Sequence, residues 1–130
     1  KFKIMRKILL LVSFIIFTTT SFAQQNKGLC NIEVNDVSKI TALGYLIGYT
    51  VQFKNSTTKT VDGVYWTAYY YNNDNKLIES EKASFNSTNL IDPIAAGFSK
   101  SIARSPRVKG ASIVLVVINK VHFSDGSSCK

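Results

Sequence analysis

Cys30 and Cys129 are the two cysteines of the chain, and their chemistry depends on the compartment. In an oxidising compartment, two thiols in one small domain form a disulfide by default, so export would favour a Cys30–Cys129 bridge. The bridge would close a loop of 99 residues, which stabilises the fold by about 4–5 kcal/mol in the loop-entropy description. Free thiols and an intermolecular bridge are the alternatives. No Cys-x-x-Cys motif or Cys/His cluster is present, which argues against structural zinc.

Residues that could perform catalysis are few. His122 is the only histidine, so a Ser-His-Asp assembly would have to use it, yet its Lys-Val-His-Phe context indicates an outward-facing strand residue. Ser56 and Lys59 match the Ser-x-x-Lys motif of penicillin-recognising enzymes, whose serine begins a helix, but here the motif falls in a turn. The sequence therefore predicts a protein that is not an enzyme and that uses no cofactor.

The run Asn73-Asp74-Asn75 could offer oxygen ligands to calcium. It lacks the spaced carboxylates and the bidentate glutamate of a dedicated calcium loop. We interpret it as a turn and predict no metal site.

Residues 61–72 hold the only tryptophan and four of the six tyrosines. This density of β-branched and aromatic side chains is typical of a strand. Because alternate residues of a strand point to opposite faces, Trp66 shares one face with Val64, Ala68 and Tyr70. We expect this face to be buried, with Trp66 as the core anchor.

The opposite face of this strand carries Tyr65, Tyr69 and Tyr71 around Thr67. Three tyrosine rings in line could form a flat platform that stacks on sugars or anchors a protein partner. Tyr65, Tyr69 and Tyr71 are therefore the predicted ligand-binding residues. In the alternative interpretation, they line the outer face of the sheet against long side chains of neighbouring strands.

Residues 1–23 have the pattern of a secretory signal peptide. A basic start is followed by an apolar run from Ile8 to Phe17 and by Ser21-Phe22-Ala23, which fits the cleavage rule. The apolar run of about 10 residues is shorter than the ~20 that a membrane-spanning helix needs. We predict export to the periplasm, the cell surface or the medium, without membrane insertion of the mature domain. An uncleaved signal that holds the domain at a membrane is the alternative.

The remaining residues, 24–130, have the length of one domain. Four of the sixteen basic residues lie in residues 1–23, which leaves a formal charge of +4 for the rest of the chain. The remaining cations are scattered apart from one cluster at Lys100, Arg104, Arg107 and Lys109. This distribution does not indicate nucleic-acid binding, although the cluster could make a weak contact with an anionic surface.

Turn residues divide residues 24–130 into short segments with the alternation of strands. The predicted strands are residues 32–40, 46–54, 61–72, 77–85, 98–103, 113–118 and a final stub at 128–130. About seven strands predict an all-β fold, an immunoglobulin-like antiparallel β-sandwich, preceded by a cleaved signal helix.

Three local features refine this prediction. In the second strand, Ile47 falls in phase with Tyr49 on the apolar face. A β-bulge is predicted at Asp62-Gly63, because Val61 is out of phase with the residues that follow. The apolar run 113–118 indicates a strand covered on both faces, and Asn119-Lys120 interrupts it.

Six patterns follow one another within residues 46–126. They are Tyr49-x-Val51-x-Phe53, Asn55-Ser56-Thr57, Val61-Asp62-Gly63-Val64-x-Trp66, Tyr70-Tyr71-Asn72-Asn73, Ile91-Asp92-Pro93-Ile94-x-x-Gly97 and Lys120-Val121-His122-Phe123-Ser124-Asp125-Gly126. Their order resembles small secreted bacterial immunoglobulin-like domains of the FxLYD type and their uncharacterised relatives. Where the family name implies Phe-x-Leu-Tyr-Asp, this chain has Ala68-Tyr69-Tyr70-Tyr71-Asn72. The resemblance implies a binding or spacer module without catalytic residues.

Two functions follow from these observations. The first is a non-catalytic secreted or periplasmic binding module that recognises a protein or glycan at the cell envelope through its aromatic face or loops. The alternative is a structural or envelope-assembly protein that associates through its sheet edges.

Overall fold

The computed structural model describes residues 25–130, which form eight strands and no helix. The strands are β1 (Ile32–Ala42), β2 (Tyr45–Asn55), β3 (Val61–Tyr71), β4 (Leu77–Asn86), β5 (Ser99–Arg104), β6 (Val108–Lys109), β7 (Ile113–Phe123) and β8 (Ser128–Cys129). The predicted signal peptide, residues 1–23, lies outside the described residues. A helix with the length and apolar character needed to cross a membrane is not found in residues 25–130.

The strands form two antiparallel sheets around one core, which confirms the predicted all-β sandwich. In the first sheet, β2 lies between β1 on one side and β5 and β6 on the other. The second sheet has the order β4-β3-β7-β8. The eighth strand, missed by the sequence pattern, is β6, whose two residues pair with the start of β2. Two residues are too few to show an alternation.

The chain before β1 adds to the second sheet along the edge of β7. The Lys27 amide donates to the Val116 carbonyl, and the Ile118 amide donates to the Lys27 carbonyl, at 2.9 Å each. Lys27 runs parallel to β7 at Val117. Residue 27 therefore belongs to the folded domain.

The core lies between the two sheets and is centred on β3. Trp66, Val64, Ala68 and Tyr70 are all 0% exposed, which confirms the predicted face of this strand and Trp66 as its anchor. The Trp66 and Phe53 rings are 5.1 Å apart between centroids and tilted by 57°. Aromatic contacts of this kind add to the stabilisation that burial provides.

The register of β3 against β7 shifts between Val61 and Gly63, as predicted for a bulge at Asp62-Gly63. A second shift occurs where Tyr65 pairs with Lys120 and Trp66 with Ile118. Asn119 is the extra residue there, so it does not end the strand as expected. The run from Ile113 to Phe123 is one strand that contains a bulge.

The phase predicted for β2 is wrong at its start. Ile47 is 42% exposed, whereas the neighbouring Leu46 is fully buried. The pairing with β1 shifts from Ile40–Gly48 to Thr41–Leu46, which leaves Ile47 as the extra residue of a bulge. An extra residue shifts the inward and outward alternation of the strand by one position. On the far side of the bulge from Gly48, Leu46 therefore takes the inward position.

Candidate functional site

The predicted ligand-binding tyrosines lie on the outer face of the second sheet. Tyr65, Tyr69 and Tyr71 are each partly exposed, while Trp66 between them is buried. Both neighbouring strands contribute side chains to this face. The two halves of this face differ in their chemistry.

The half around Tyr65 is polar and internally bonded. The Tyr65 hydroxyl donates a hydrogen bond to the Asn86 Oδ1 atom at 2.8 Å, and the Lys120 Nζ atom lies 5.5 Å from the Tyr65 ring centroid. Beside it, Asn119 Nδ2 donates to Thr67 Oγ1 at 2.7 Å. These contacts hold the Tyr65 ring in place, as expected if it lines the sheet against neighbouring side chains.

The other half is apolar, and we call it the outer patch: Tyr69, Tyr71, Ile113, Leu115 and Val117. Tyr69 pairs across the sheet with Leu115, and Tyr71 pairs with Ile113. All five side chains are partly exposed. Within residues 25–130, the hydroxyls of Tyr69 and Tyr71 make no hydrogen bond.

The outer patch corrects one prediction about β7. Val114, Val116 and Ile118 are buried, but the alternate residues Ile113 and Leu115 are partly exposed, so the strand is not fully enclosed on both faces. Apolar residues on both faces normally indicate a strand buried on both sides. Here the same pattern indicates an outward face with the composition of a core.

A chain of polar groups lies behind this face, inside the core. The Trp66 Nε1 atom donates to the Tyr49 hydroxyl at 3.1 Å, and the Tyr49 and Tyr70 rings pack edge to face with 6.3 Å between their centroids. The Tyr70 hydroxyl donates to the Glu81 Oε2 atom at 3.2 Å, and Arg104 lies 3.9 Å from the other carboxylate oxygen. This series of contacts starts at the buried Trp66 indole and ends at the solvent-accessible ion pair between Glu81 and Arg104. Sequence alternation placed Tyr70 inside but gave no sign of these partners.

Burial raises the pKa of Tyr70 above its usual value of 10.0, and the neighbouring Tyr49 and Glu81 raise it further. Burial likewise raises the pKa of Tyr49. In the unfolded chain both phenols ionise near pH 10, so the unfolded state loses protons first when the pH rises. The contribution of these two tyrosines to the free energy of unfolding is therefore fully present below pH 10 and decreases as the pH rises above 10.

We expect the free energy of unfolding to decrease by about 1.4 kcal/mol per pH unit above pH 10 through Tyr70, and Tyr49 should add a decrease in the same direction. Urea unfolding followed by circular dichroism between pH 8 and 11 measures this slope. Tyr70→Phe removes the phenol with the larger pKa shift and should remove most of the slope. Equal slopes in the two proteins would contradict the assignment.

His122 is paired with an acid, which the sequence did not predict. Its Nδ1 atom lies 2.5 Å from the Asp62 Oδ1 atom, and both side chains are partly exposed. Asp62 reaches the imidazole because it is the extra residue of the β3 bulge. In the described part of the chain, no hydroxyl or thiol is hydrogen-bonded to His122.

The other residues considered for chemistry lie in turns. Lys59 contacts the Asp125 carboxylate at 3.0 Å and the Ser127 hydroxyl at 3.2 Å rather than Ser56. In the Asn73-Asp74-Asn75 turn, the Asn72 side chain accepts hydrogen bonds from the amides of Asp74 and Lys76, at 2.9 and 3.0 Å. Among residues 25–130, no group of three or more potential metal ligands is found.

The fold and its outer face define a small all-β sandwich domain. A similar solved structure is the crystal structure of a DUF1425 family member from Shewanella sp. pv-4, with a TM-score of 0.50 and 10% sequence identity. The similarity covers 68% of this chain and 76% of that one. At this identity the likeness concerns the fold alone. It supports a small β-domain and not the FxLYD type in particular. No protein-family model and no curated protein matches the chain.

Proposed function

We propose that this chain is an exported, non-catalytic binding module of immunoglobulin-like architecture that recognises a protein or a glycan at the cell envelope. The observation that carries the proposal is the outer patch. Its tyrosines and aliphatic residues have the composition of a core, yet they lie on the side of the sheet that faces away from the core.

Strand order supports the immunoglobulin-like architecture. The sheets β1-β2-β5 and β4-β3-β7-β8 have the order expected if β1, β2 and β5 correspond to strands A, B and E, with β3 as strand C. Trp66 then occupies the strand C position of the buried tryptophan found in immunoglobulin domains. Membership of the FxLYD type in particular rests on the strand-and-turn patterns of the sequence.

Export is proposed from residues 1–23, whose pattern is that of a signal peptide. The Cys30–Cys129 disulfide of the fold suits the oxidising compartments that export reaches. A periplasmic, cell-surface or extracellular location follows. There, the module would meet proteins and glycans rather than cytoplasmic substrates.

The partly exposed rings of Tyr69 and Tyr71 are suited to recognition for two reasons. Each ring offers an apolar surface for stacking and a hydroxyl that makes no hydrogen bond within residues 25–130. Two χ angles per side chain also mean that little conformational entropy is lost when a ligand immobilises the rings. Tyr65 is less suited, because Asn86 and Lys120 already engage it.

Replacing both Tyr69 and Tyr71 with alanine should reduce retention of the domain on isolated cell envelopes at least tenfold. The loss of two aromatic contacts at the centre of an interface accounts for this reduction. The measurement is co-sedimentation of residues 24–130, which contain the entire described core. One arm uses peptidoglycan sacculi, and the other uses envelope vesicles that carry membrane proteins. The melting temperature is measured in parallel.

The matched control is Phe98→Ala, because Phe98 is also aromatic and 67% exposed but lies outside the outer patch. Its retention should equal that of the unmodified domain. If the tyrosine variant is retained normally in both arms, the outer patch is not the binding surface.

The alternative of assembly through sheet edges has its own observation. β4 ends its sheet with ten residues whose free side has no partner within residues 25–130, and Leu77 and Ile78 on it are 54% and 40% exposed. An oligomer that forms with rising concentration and tolerates the tyrosine replacements would favour this alternative.

A further inference from the structure

The turn between β1 and β2 has a leucine at a position where the backbone conformation favours asparagine, aspartate or glycine. Its two central residues, Leu43 and Gly44, have φ angles of +53° and +78°. Turns of this type select Asn-Gly or Asp-Gly, because a branched apolar side chain is disfavoured in the left-handed conformation. Leu43 is also 98% exposed, so it contributes nothing to the core. Strain together with complete exposure indicates a contact outside the molecule.

Other apolar groups surround this hairpin end. Ile40 is 61% exposed and Ile47 42% exposed. Leu43, Tyr45 and Ile47 line one side of a shallow groove of about 420 Å³. The bulge that turned Ile47 outward thus builds part of this surface.

Two cations lie just behind the tip. The Arg107 guanidinium is 4.9 Å from the centroid of the Tyr45 ring, and Lys109 pairs with Tyr45 across the strands. Neither makes an ion pair with a residue in the range 25–130. The residues that line the groove include no carboxylate.

We propose that this end of the sandwich docks on the surface of an anionic lipid bilayer. Leu43 would enter the boundary between headgroups and acyl chains, while Arg107 and Lys109 bind lipid phosphates. Tyr45, an amphipathic ring, would lie at the headgroup level, where tyrosine is enriched. The contact is peripheral and crosses no bilayer.

The depth order of the groups favours a bilayer over a protein partner. Lys109 and Tyr45 lie two residues behind Leu43, which is roughly 7 Å along a strand. An apolar tip with cations about that far behind it matches the layered chemistry of a membrane, with apolar chains beneath anionic phosphates. The backbone of the tip is held in place, because the Gly110 amide donates to the Gly44 carbonyl at 2.7 Å, while the Leu43 side chain is exposed and free to enter a soft surface.

This surface is separate from the outer patch, which lies on the other sheet. The two surfaces have no residue in common. The proposal therefore stands or falls independently of the proposed function.

The test is co-sedimentation of residues 24–130 with vesicles of phosphatidylethanolamine and 30% phosphatidylglycerol, and with vesicles of phosphatidylcholine alone. We expect at least tenfold stronger partitioning into the anionic vesicles, weakened at high salt. Arg107→Gln should lower that partitioning about fivefold, the effect of one charge at an anionic surface. Leu43→Asn should lower it at least tenfold through the loss of apolar burial.

Leu43→Asn also separates binding from folding. Asparagine tolerates a positive φ, so the melting temperature of this variant should be unchanged or higher. Leu90→Asn is the matched control: Leu90 is 96% exposed but lies in the crossover between β4 and β5, outside the hairpin end, and its loss should not change partitioning. Equal binding to both vesicle types, no binding to either, or normal binding by Leu43→Asn would overturn the proposal. In these cases, an acidic protein becomes the partner to test.

Discussion

Replacing Cys30 and Cys129 with serine should lower the free energy of unfolding by about 4 kcal/mol. The bridge joins residues 99 positions apart, with 6.5 Å between their Cα atoms, so it constrains nearly the whole unfolded chain. A domain of this size has a total stability of only about 5–15 kcal/mol. Loss of the bridge would therefore remove a large part of it.

The bridge is important because the elements it joins are short. Cys129 lies on β8, a strand of two residues, and Cys30 lies in the turn between Lys27 and β1. Few main-chain hydrogen bonds hold either element to β7. Without the disulfide, we expect faster amide exchange at Lys27 and Ile118, whose bonds attach the first described residues to the sheet.

Urea unfolding of the double-serine variant, compared with the oxidised protein, measures the effect. The unmodified protein, reduced in urea and kept reduced, is the control and should give the same midpoint as the variant. A decrease in the free energy of unfolding of less than about 1 kcal/mol would contradict the prediction, because the disulfide would then restrict the unfolded chain too little to matter. A disulfide-linked dimer on a non-reducing gel would show an intermolecular bridge instead.

The sequence predicted most where one strand had a strong and uninterrupted alternation. Residues 61–71 illustrate this, since the positions of Trp66 and the tyrosines follow from period 2 alone. The bulge at Asp62 could also be predicted, because Val61 is out of phase with Val64 and a glycine follows. In this strand, local preference and tertiary structure agree.

The sequence failed where a bulge changed the phase without a local signal. Ile47 and Asn119 are both extra residues that the pairing of neighbouring strands creates. Pairing is a long-range property, and a pattern within one segment does not contain it. The aliphatic part of the outer patch was missed for a related reason, because the composition of Ile113 and Leu115 does not reveal which element covers them.

Asn55 shows another limit of sequence reasoning. It lies in a polar run that indicates a turn, yet it is fully buried. Its Nδ2 atom donates to the carbonyls of Lys59 and Ile94, and its Oδ1 atom accepts from Thr57. The contact with Ile94 spans 39 residues, so this role becomes visible only in the folded chain.

Replacing Trp66 with alanine should cost about 3–5 kcal/mol, the range for truncating a large buried aromatic side chain. Trp66 is fully buried and contacts Phe53, and its ring nitrogen donates to Tyr49. The cavity would lie between the two sheets, where neither can close it without shifting its partner. Because Trp66 is the only tryptophan, far-UV circular dichroism and not fluorescence must follow unfolding.

Milder variants keep the prediction measurable if the alanine protein does not fold. Tyr49→Phe leaves the Trp66 ring nitrogen buried without an acceptor, which should cost about 1–3 kcal/mol. In Trp66→Phe both the donor and part of the volume are lost, and adding Tyr49→Phe to it should then cost less than Tyr49→Phe alone. That non-additivity is expected for groups in one hydrogen-bond network. Additive costs, or a Trp66→Ala cost no larger than that of Tyr69→Ala on the outer face, would mean that the indole does not anchor the core.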